Sequence, residues 1–260
     1  MSVATHLLRQ SRLGVVVVLI ALGLTTNAPA APTFTFTATA QPIPGFPGTG
    51  DILGAGALIQ GHGTITGSEY AGNPPPLIGM KVFAPGATKL HPQGFATCSV
   101  TTLERIGPSG CPKGSQAGPV GSALGAVSFG GERVPETASV QLFFAPGGGL
   151  SAFVDGTTPT VVEVIASGHF VSAPAPFSLE YIGELPVIET VPGAPDASVL
   201  EGTIRFGAAY RQGKKTISYV TLPTTCTKGW RIVAELSFLG GATAQASYTM
   251  PCPPRAGRHG

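Results

Sequence analysis

Three acidic residues in neighbouring predicted strands could work as a pair of carboxylates. Glu163 is flanked by apolar residues within 161–165, so strand alternation would put it on an apolar face, where an unpaired carboxylate is costly. Glu180 follows in the next predicted strand, and Asp155 ends the strand before. Two carboxylates suffice for glycoside hydrolysis. In the alternative interpretation, Glu163 lies at a strand end or on the solvated side of an edge strand, where it meets Arg133 or a lysine.

The other chemistry-bearing residue types favour no metal site and no cofactor. None of the histidines after residue 30 forms an H-x-H or H-x-x-x-H pair, which argues against metalloprotease and cupin sites, although distant ligands could converge. No serine lies in a G-x-S-x-G sequence, and the glycines at 54–67 lack the G-x-G-x-x-G order. These histidines are His62, His91, His169 and His259.

Four cysteines permit three disulfide pairings. We favour Cys98 with Cys111 and Cys226 with Cys252, because each pairing closes a short loop around one supersecondary unit. A zinc site would need close C-x-x-C or Cys/His spacing, which the sequence lacks. Trp230 follows closely after Cys226, so we expect its ring to pack on the disulfide. The alternative is that Trp230 is a ligand-binding platform.

The elements that would position these residues begin after a predicted export signal. Residues 1–30 combine Arg9 and Arg12, an apolar run at 13–24 and an A-x-A cleavage sequence at 28–30. The apolar run is too short to span a bilayer, and no stop-transfer segment follows it. We therefore expect a secreted or cell-envelope protein with no membrane span in the mature chain, in a compartment where disulfides form.

The composition predicts an all-β protein. The 37 Gly and 25 Pro residues separate short runs rich in Val, Ile, Leu and Phe, which is typical of an antiparallel β-sandwich. The only helical pattern lies at 98–106, with Ser99 as its N-cap and Gly107 as its stop signal. We therefore predict an antiparallel β-sandwich of about ten strands with one short disulfide-clamped helix.

The chain divides into four predicted parts: a signal peptide at 1–30, a flexible N-terminal segment at 31–51, a β-sandwich domain at 52–253 and a disordered tail at 254–260. Residues 33–39 alternate threonine with Phe or Ala and could form an early strand. Signal cleavage would remove two of the 15 Lys and Arg residues, leaving 13 against 13 Asp and Glu. Without net charge or a basic cluster, nucleic acid and anionic membranes are poor candidate partners.

Two cysteine-containing blocks resemble those of a group of uncharacterised exported β-rich proteins of high-GC actinobacteria. The first runs from Cys98 through Cys111-Pro-Lys-Gly-Ser-Gln-Ala-Gly118, in the pattern C…CPxxSxxG. The second is Pro223-Thr-Thr-Cys-Thr-Lys-Gly-Trp230 with a closing Cys252-Pro, in the pattern PxxCxKG…CP. The resemblance covers residues 74–253 and implies a shared fold and shared disulfides. It transfers no catalytic residue.

These observations favour a non-catalytic cell-envelope or extracellular protein. We expect it to bind a surface, a cell-wall polysaccharide or another envelope protein. The main alternative is a secreted carbohydrate-active hydrolase that uses Glu163 with Glu180 or Asp155. A third possibility is a purely structural envelope component, which would self-associate without a ligand.

Overall fold

The computed structural model describes residues 31–46, 52–129, 132–158, 161–187 and 197–253. The expected signal peptide and C-terminal tail lie outside these residues. The described chain contains, in order, β1 (Thr33–Pro42), β2 (Ala57–Thr66), β3 (Leu77–Pro85), β4 (Lys89–Leu90), α1 (Val100–Ile106), a 3-10 turn (Pro108–Gly110), β5 (Gly121–Phe129), β6 (Glu132–Phe144), a second 3-10 turn (Pro146–Gly148), β7 (Leu150–Thr158), β8 (Val162–Ser172), β9 (Phe177–Glu184), β10 (Ser198–Phe206), β11 (Ala209–Gln212), β12 (Lys215–Ser218), β13 (Val220–Thr221), β14 (Trp230–Phe238) and β15 (Thr243–Met250).

Eleven of these strands form one continuous antiparallel sheet in the order β1-β2-β10-β5-β6-β7-β8-β9-β3-β14-β15. The sheet curls until its two edge strands, β1 and β15, contact each other, and the rings of Phe36 and Tyr248 meet there at 6.1 Å. Two small ladders, β11–β12 and β4–β13, complete the strand pairing. The predicted all-β antiparallel fold is confirmed, in the form of one curled sheet whose edges meet.

Strand alternation fills the inside of this sheet with apolar side chains. Val140, Leu142 and Phe144 are successive inward-facing residues of β6, and Leu150 of β7 joins their buried cluster. Tyr219 completes the cluster, with its ring stacked on Phe144 at 4.2 Å. The Tyr219 hydroxyl donates a hydrogen bond to the Gly148 carbonyl at 3.0 Å, which satisfies the polar end of a side chain that is 1% exposed.

Helix α1 lies on the opposite face of β6, β7 and β8. The Ser99 side chain accepts a hydrogen bond from the Thr102 amide at 3.1 Å and so caps the helix, as the sequence predicts. Leu103 packs against Phe143 and Phe153 of the sheet. A disulfide joins residues 98 and 111 on either side of the helix, which confirms the disulfide-clamped helix. None of the helices in the described ranges is long and apolar enough to cross a membrane.

The N-terminal segment differs from the expectation of a flexible lead-in. Strand β1 pairs with β2 along its full length, from Thr33 opposite Thr66 to Pro42 opposite Ala57. Phe34 and Phe36 alternate with the threonines and stack on each other at 5.6 Å. The sheet therefore begins at Thr33, before the domain boundary expected at residue 52, because the full pairing with β2 and the partial burial of these two rings hold the segment in place.

Candidate functional site

The predicted carboxylate pair is partly brought together. Asp155 of β7 and Glu163 of β8 lie directly opposite each other in the ladder, so their side chains project from the same face. Directly opposed residues have Cβ atoms about 5 Å apart, so side chains of this length can bring their carboxyl groups to the separation of retaining glycosidases, about 5–5.5 Å. The register therefore supports one of the two pairs that the sequence suggested.

The surroundings of this pair are open. Val161 is 75% exposed and precedes β8, so the apolar face expected around Glu163 is incomplete, and Glu163 itself is exposed near the strand end. On the same face of the sheet, α1 covers the next pair, Phe153 and Ile165, which lie two residues from Asp155 and Glu163 along their strands. Among the described residues, Glu163 forms no ion pair with Arg133 or a lysine. Neither carboxylate lines the two cavities described below.

Glu180 lies far from that pair. It is opposite Val171 of β8, eight residues along the strand from Glu163, which corresponds to about 26 Å. Its carboxylate pairs with the Lys81 ammonium at 3.5 Å, and its side chain is 13% exposed. The suggested combination of Glu163 with Glu180 is therefore wrong, because the antiparallel register places the two residues at opposite ends of β8.

Trp230 lies in the core beside the second disulfide. The bond joins Cys226 and Cys252 with an S–S distance of 2.05 Å, which confirms the favoured pairing. Trp230 is 5% exposed and packs in a cluster that includes Cys226 and Met250. Its indole N–H donates to the Thr225 carbonyl at 3.1 Å. Its ring therefore offers no exposed face on which a ligand could stack.

A cleft lies beside the β11–β12 hairpin, and we call it the hairpin cleft. Its volume is about 590 Å³, within the range of small-molecule sites. Its described lining comes from Ile43 and Phe46 after β1, from residues 54–56 before β2, from the segment after β4, and from the hairpin with Thr221 of β13. Its polar lining includes Gln93, Tyr210, Gln212, Lys215, Thr216 and Ser218.

Local geometry brings these segments together. The two-residue turn Gly213-Lys214, with Gly213 at φ +62°, pairs β11 with β12. Gly56 forms a bridge with Thr221, and Ser218 packs directly against it, so any side chain at position 56 would collide with Ser218. This absence of a Cβ lets the hairpin approach the β1–β2 connection closely.

A second set of contacts holds the floor of the hairpin cleft. The backbone amide of His91 donates to the Tyr219 carbonyl at 2.7 Å, and its Nε2 lies 3.2 Å from Thr221 Oγ1. The Tyr210 hydroxyl donates to the Gln93 carbonyl at 3.2 Å, and its ring meets Phe95 edge-on at 5.0 Å. These bonds immobilise the histidine and tyrosine before any ligand arrives, which lowers the entropy cost of binding.

Other lining side chains keep their hydrogen-bonding capacity free. Within the described residues, the side chains of Gln212, Lys215, Thr216 and Ser218 form no hydrogen bond or ion pair with the protein. An amide, an ammonium and two hydroxyls can together donate and accept. Apolar surface lies next to them at the partly buried Phe46 and Ile217. This combination suits a ligand with many hydroxyl groups and some apolar surface.

The sequence did not predict the hairpin cleft. Two of its lining residues, Ile43 and Phe46, belong to the segment 31–51 that was expected to be flexible. The one available signal was the position of Gln212 and Lys215 around a tight turn. Since the lining comes from segments more than 150 residues apart, no local spacing reveals it.

A smaller cavity of about 170 Å³ lies on the outer face of β8 and β9, lined by Ser167, His169 and Glu184 among others. It is too small for more than a few ligand atoms. The described residues bring together no group of three or more His, Cys, Asp or Glu side chains that could hold a metal ion. A comparison of the chain with protein-family models, curated proteins and solved structures finds no match.

Proposed function

We propose that this chain is an exported, non-catalytic protein that binds a polysaccharide in the hairpin cleft. The observation that carries the proposal is the set of unbonded amide, ammonium and hydroxyl groups around a preorganised concave floor. Sugar rings present many hydroxyls that both donate and accept, and such groups match this lining. The open shape of a surface cleft also suits a chain that continues beyond the bound unit.

Export is supported by the covalent structure. Both disulfides lie in the described chain, and no free cysteine remains. Such bonds persist in oxidising compartments outside the cytoplasm. They agree with the signal-peptide pattern at residues 1–30. Secretion or retention at the cell envelope is therefore part of the proposal, and polysaccharide is a ligand class that such a protein meets.

The test is co-sedimentation of the exported, oxidised protein with purified cell walls and with a set of insoluble polysaccharides. The double variant Gln212→Ala with Thr216→Ala removes two unbonded lining groups, and we expect it to weaken binding about tenfold, at about 1 kcal/mol or slightly less per lost hydrogen bond. The matched control is Gln116→Ala with Thr101→Ala, two exposed residues outside the cleft. Equal sedimentation of both double variants would contradict the assignment of the cleft.

A second candidate function, carbohydrate hydrolysis, is favoured by one observation, the opposed Asp155 and Glu163. The same sedimentation experiment tests it through a reducing-sugar assay on the supernatant. Release of sugar that disappears in Glu163→Gln would make the protein a hydrolase. Sedimentation without sugar release supports the binding protein.

A further inference from the structure

Part of the lining of the hairpin cleft is apolar and aromatic. Tyr210 and Ile217 lie directly opposite each other in the β11–β12 ladder, so their side chains project from the same face of the hairpin. Both residues line the cleft and are partly exposed. Phe46, which follows β1, adds a second partly exposed ring to the lining. The cleft therefore offers two aromatic rings to a ligand.

The ring of Tyr210 is held in a fixed orientation. Its hydroxyl donates to the Gln93 carbonyl, and any side chain at Gly94 would collide with that hydroxyl. Phe95 meets the ring edge-on at 5.0 Å. A ring that is anchored at its hydroxyl and packed against a neighbour loses little conformational entropy when a ligand stacks on it.

Polar groups lie next to this apolar pair on the same face of the hairpin. Gln212 and Lys215 form the neighbouring opposed pair of the ladder, two residues from Tyr210 and Ile217 along their strands, and they also line the cleft. Their amide and ammonium groups donate hydrogen bonds. A ligand that matches this face has a flat apolar surface with hydrogen-bonding groups around its edge.

We infer that the sugar bound in the hairpin cleft is a pyranose that stacks one of its C–H faces on the Tyr210 ring. This inference rests on the proposed function and names the ligand class of its site. A pyranose ring carries C–H bonds on its two faces and equatorial hydroxyls around its edge. The C–H hydrogens have a partial positive charge, so the negative face of an aromatic ring attracts them. Gln212 and Lys215 are placed to bind the hydroxyls at the edge.

The experiment compares two isomeric pentose hexamers, β-linked xylohexaose and α-linked arabinohexaose. Their residues carry equal numbers of hydroxyl groups, but the arabinose is a furanose, whose puckered ring offers no comparable C–H face. Cellohexaose, a pyranose hexamer with a hydroxymethyl group on each ring, is the third ligand. Binding to the oxidised protein is measured by calorimetry. Contact with an aromatic ring is measured by the upfield NMR shift of the sugar C–H protons.

The variants separate the ring of Tyr210 from its hydroxyl. Tyr210→Leu removes the aromatic face, whereas Tyr210→Phe keeps it and loses only the hydrogen bond to Gln93. Phe46→Leu assigns the NMR shift to one of the two rings, even where Tyr210→Leu is unstable. The matched control is Tyr70→Leu, which changes a tyrosine outside the cleft.

We expect xylohexaose and cellohexaose to bind about tenfold or more tightly than arabinohexaose, because only they bury a C–H face against the ring. Their C–H protons should shift upfield in the wild type, in Tyr210→Phe and in the Tyr70→Leu control. Tyr210→Leu should lose both the shift and the preference for pyranose hexamers.

Two results would overturn the inference and leave polysaccharide binding standing. One is equal binding of the pyranose and furanose hexamers that the Gln212→Ala/Thr216→Ala double variant weakens. The other is an upfield shift that survives in Tyr210→Leu or disappears only in Phe46→Leu.

If none of the hexamers binds, co-sedimentation with the insoluble polysaccharides decides. Sedimentation that Tyr210→Leu loses and Tyr210→Phe keeps supports stacking, and sedimentation that is equal in both variants overturns it. If the wild type sediments with no polysaccharide and binds no hexamer, the inference and the proposed function both fail.

Discussion

Tyr181 and Tyr219 carry their phenol groups into the core of the curled sheet. Burial raises the pKa of both side chains from 10.0 to about 12, because the ionised phenolate loses its hydration there. The unfolded chain thus releases these protons near pH 10 and the folded chain near pH 12. Between these values the folded state binds more protons, so the free energy of unfolding falls as the pH rises from 10 to 12.

Replacement of either tyrosine should therefore remove one ionisation near pH 12. We expect Tyr181→Phe and Tyr219→Phe each to lose one tyrosinate step near that pH in a rapid absorbance titration. Each variant should also show a weaker fall of stability between pH 10 and 12 than the wild type. Loss of absorbance change near pH 10 instead would show that the replaced phenol is not protected by burial.

At the scale of elements, each disulfide closes one unit of the fold. Cys98–Cys111 spans 13 residues around α1, and Cys226–Cys252 spans 26 residues around the β14–β15 pair. A closed loop restricts the unfolded chain, and the restriction grows slowly with loop length. The second bond also lies against the cluster that contains Trp230, so its removal loosens core packing as well.

Removal of either bond should lower the stability in denaturant titrations. Cys98→Ala with Cys111→Ala should cost about 3 kcal/mol, and Cys226→Ala with Cys252→Ala about 3.5 kcal/mol or more. A reductant should lower the unfolding midpoint of the wild type. It should lower the midpoint of each double variant by less, because only one disulfide is left to reduce. An unchanged midpoint in either double variant would mean that its bond does not restrict the unfolded chain.

At the scale of the whole molecule, eleven strands share one hydrogen-bonded sheet whose edges meet at β1 and β15. Phe36 lies at this seam, between Phe34 and Tyr248. Every strand of this described sheet pairs with at least one other strand. Loss of the seam, the contact between β1 and β15, should therefore lower the stability of the sheet as a whole. The unfolding of the domain should therefore be a single cooperative transition.

Phe36→Ala tests this coupling. We expect a loss of about 3 kcal/mol, with the near-UV and far-UV circular dichroism transitions shifting together. Thr37→Ala, its outward-facing neighbour, is the matched control and should change stability by about 0.5 kcal/mol or less. Separate transitions in Phe36→Ala would mean that β1 unfolds as an independent unit.

The sequence by itself determined those features of the fold that depend on local patterns. Gly and Pro residues between short apolar runs specify the strands, and Ser99 and Gly107 delimit the helix. The two predicted disulfides each close a short loop. Even there, the Thr-Phe alternation at 33–39 predicts β1 correctly, whereas the expectation of a flexible segment at 31–51 does not hold for this strand. Local rules succeed for these features because the interacting residues lie close together in the chain.

Only the tertiary structure decided which distant residues meet. The register of β7 with β8 pairs Asp155 with Glu163, while the register of β8 with β9 places Glu180 far away. Curling of the sheet buries Trp230 and brings the β1–β2 connection to the β11–β12 hairpin. A shift of one residue would turn each side chain to the other face, and register depends on how the whole core packs. The candidate site is therefore a product of long-range packing that no local spacing encodes.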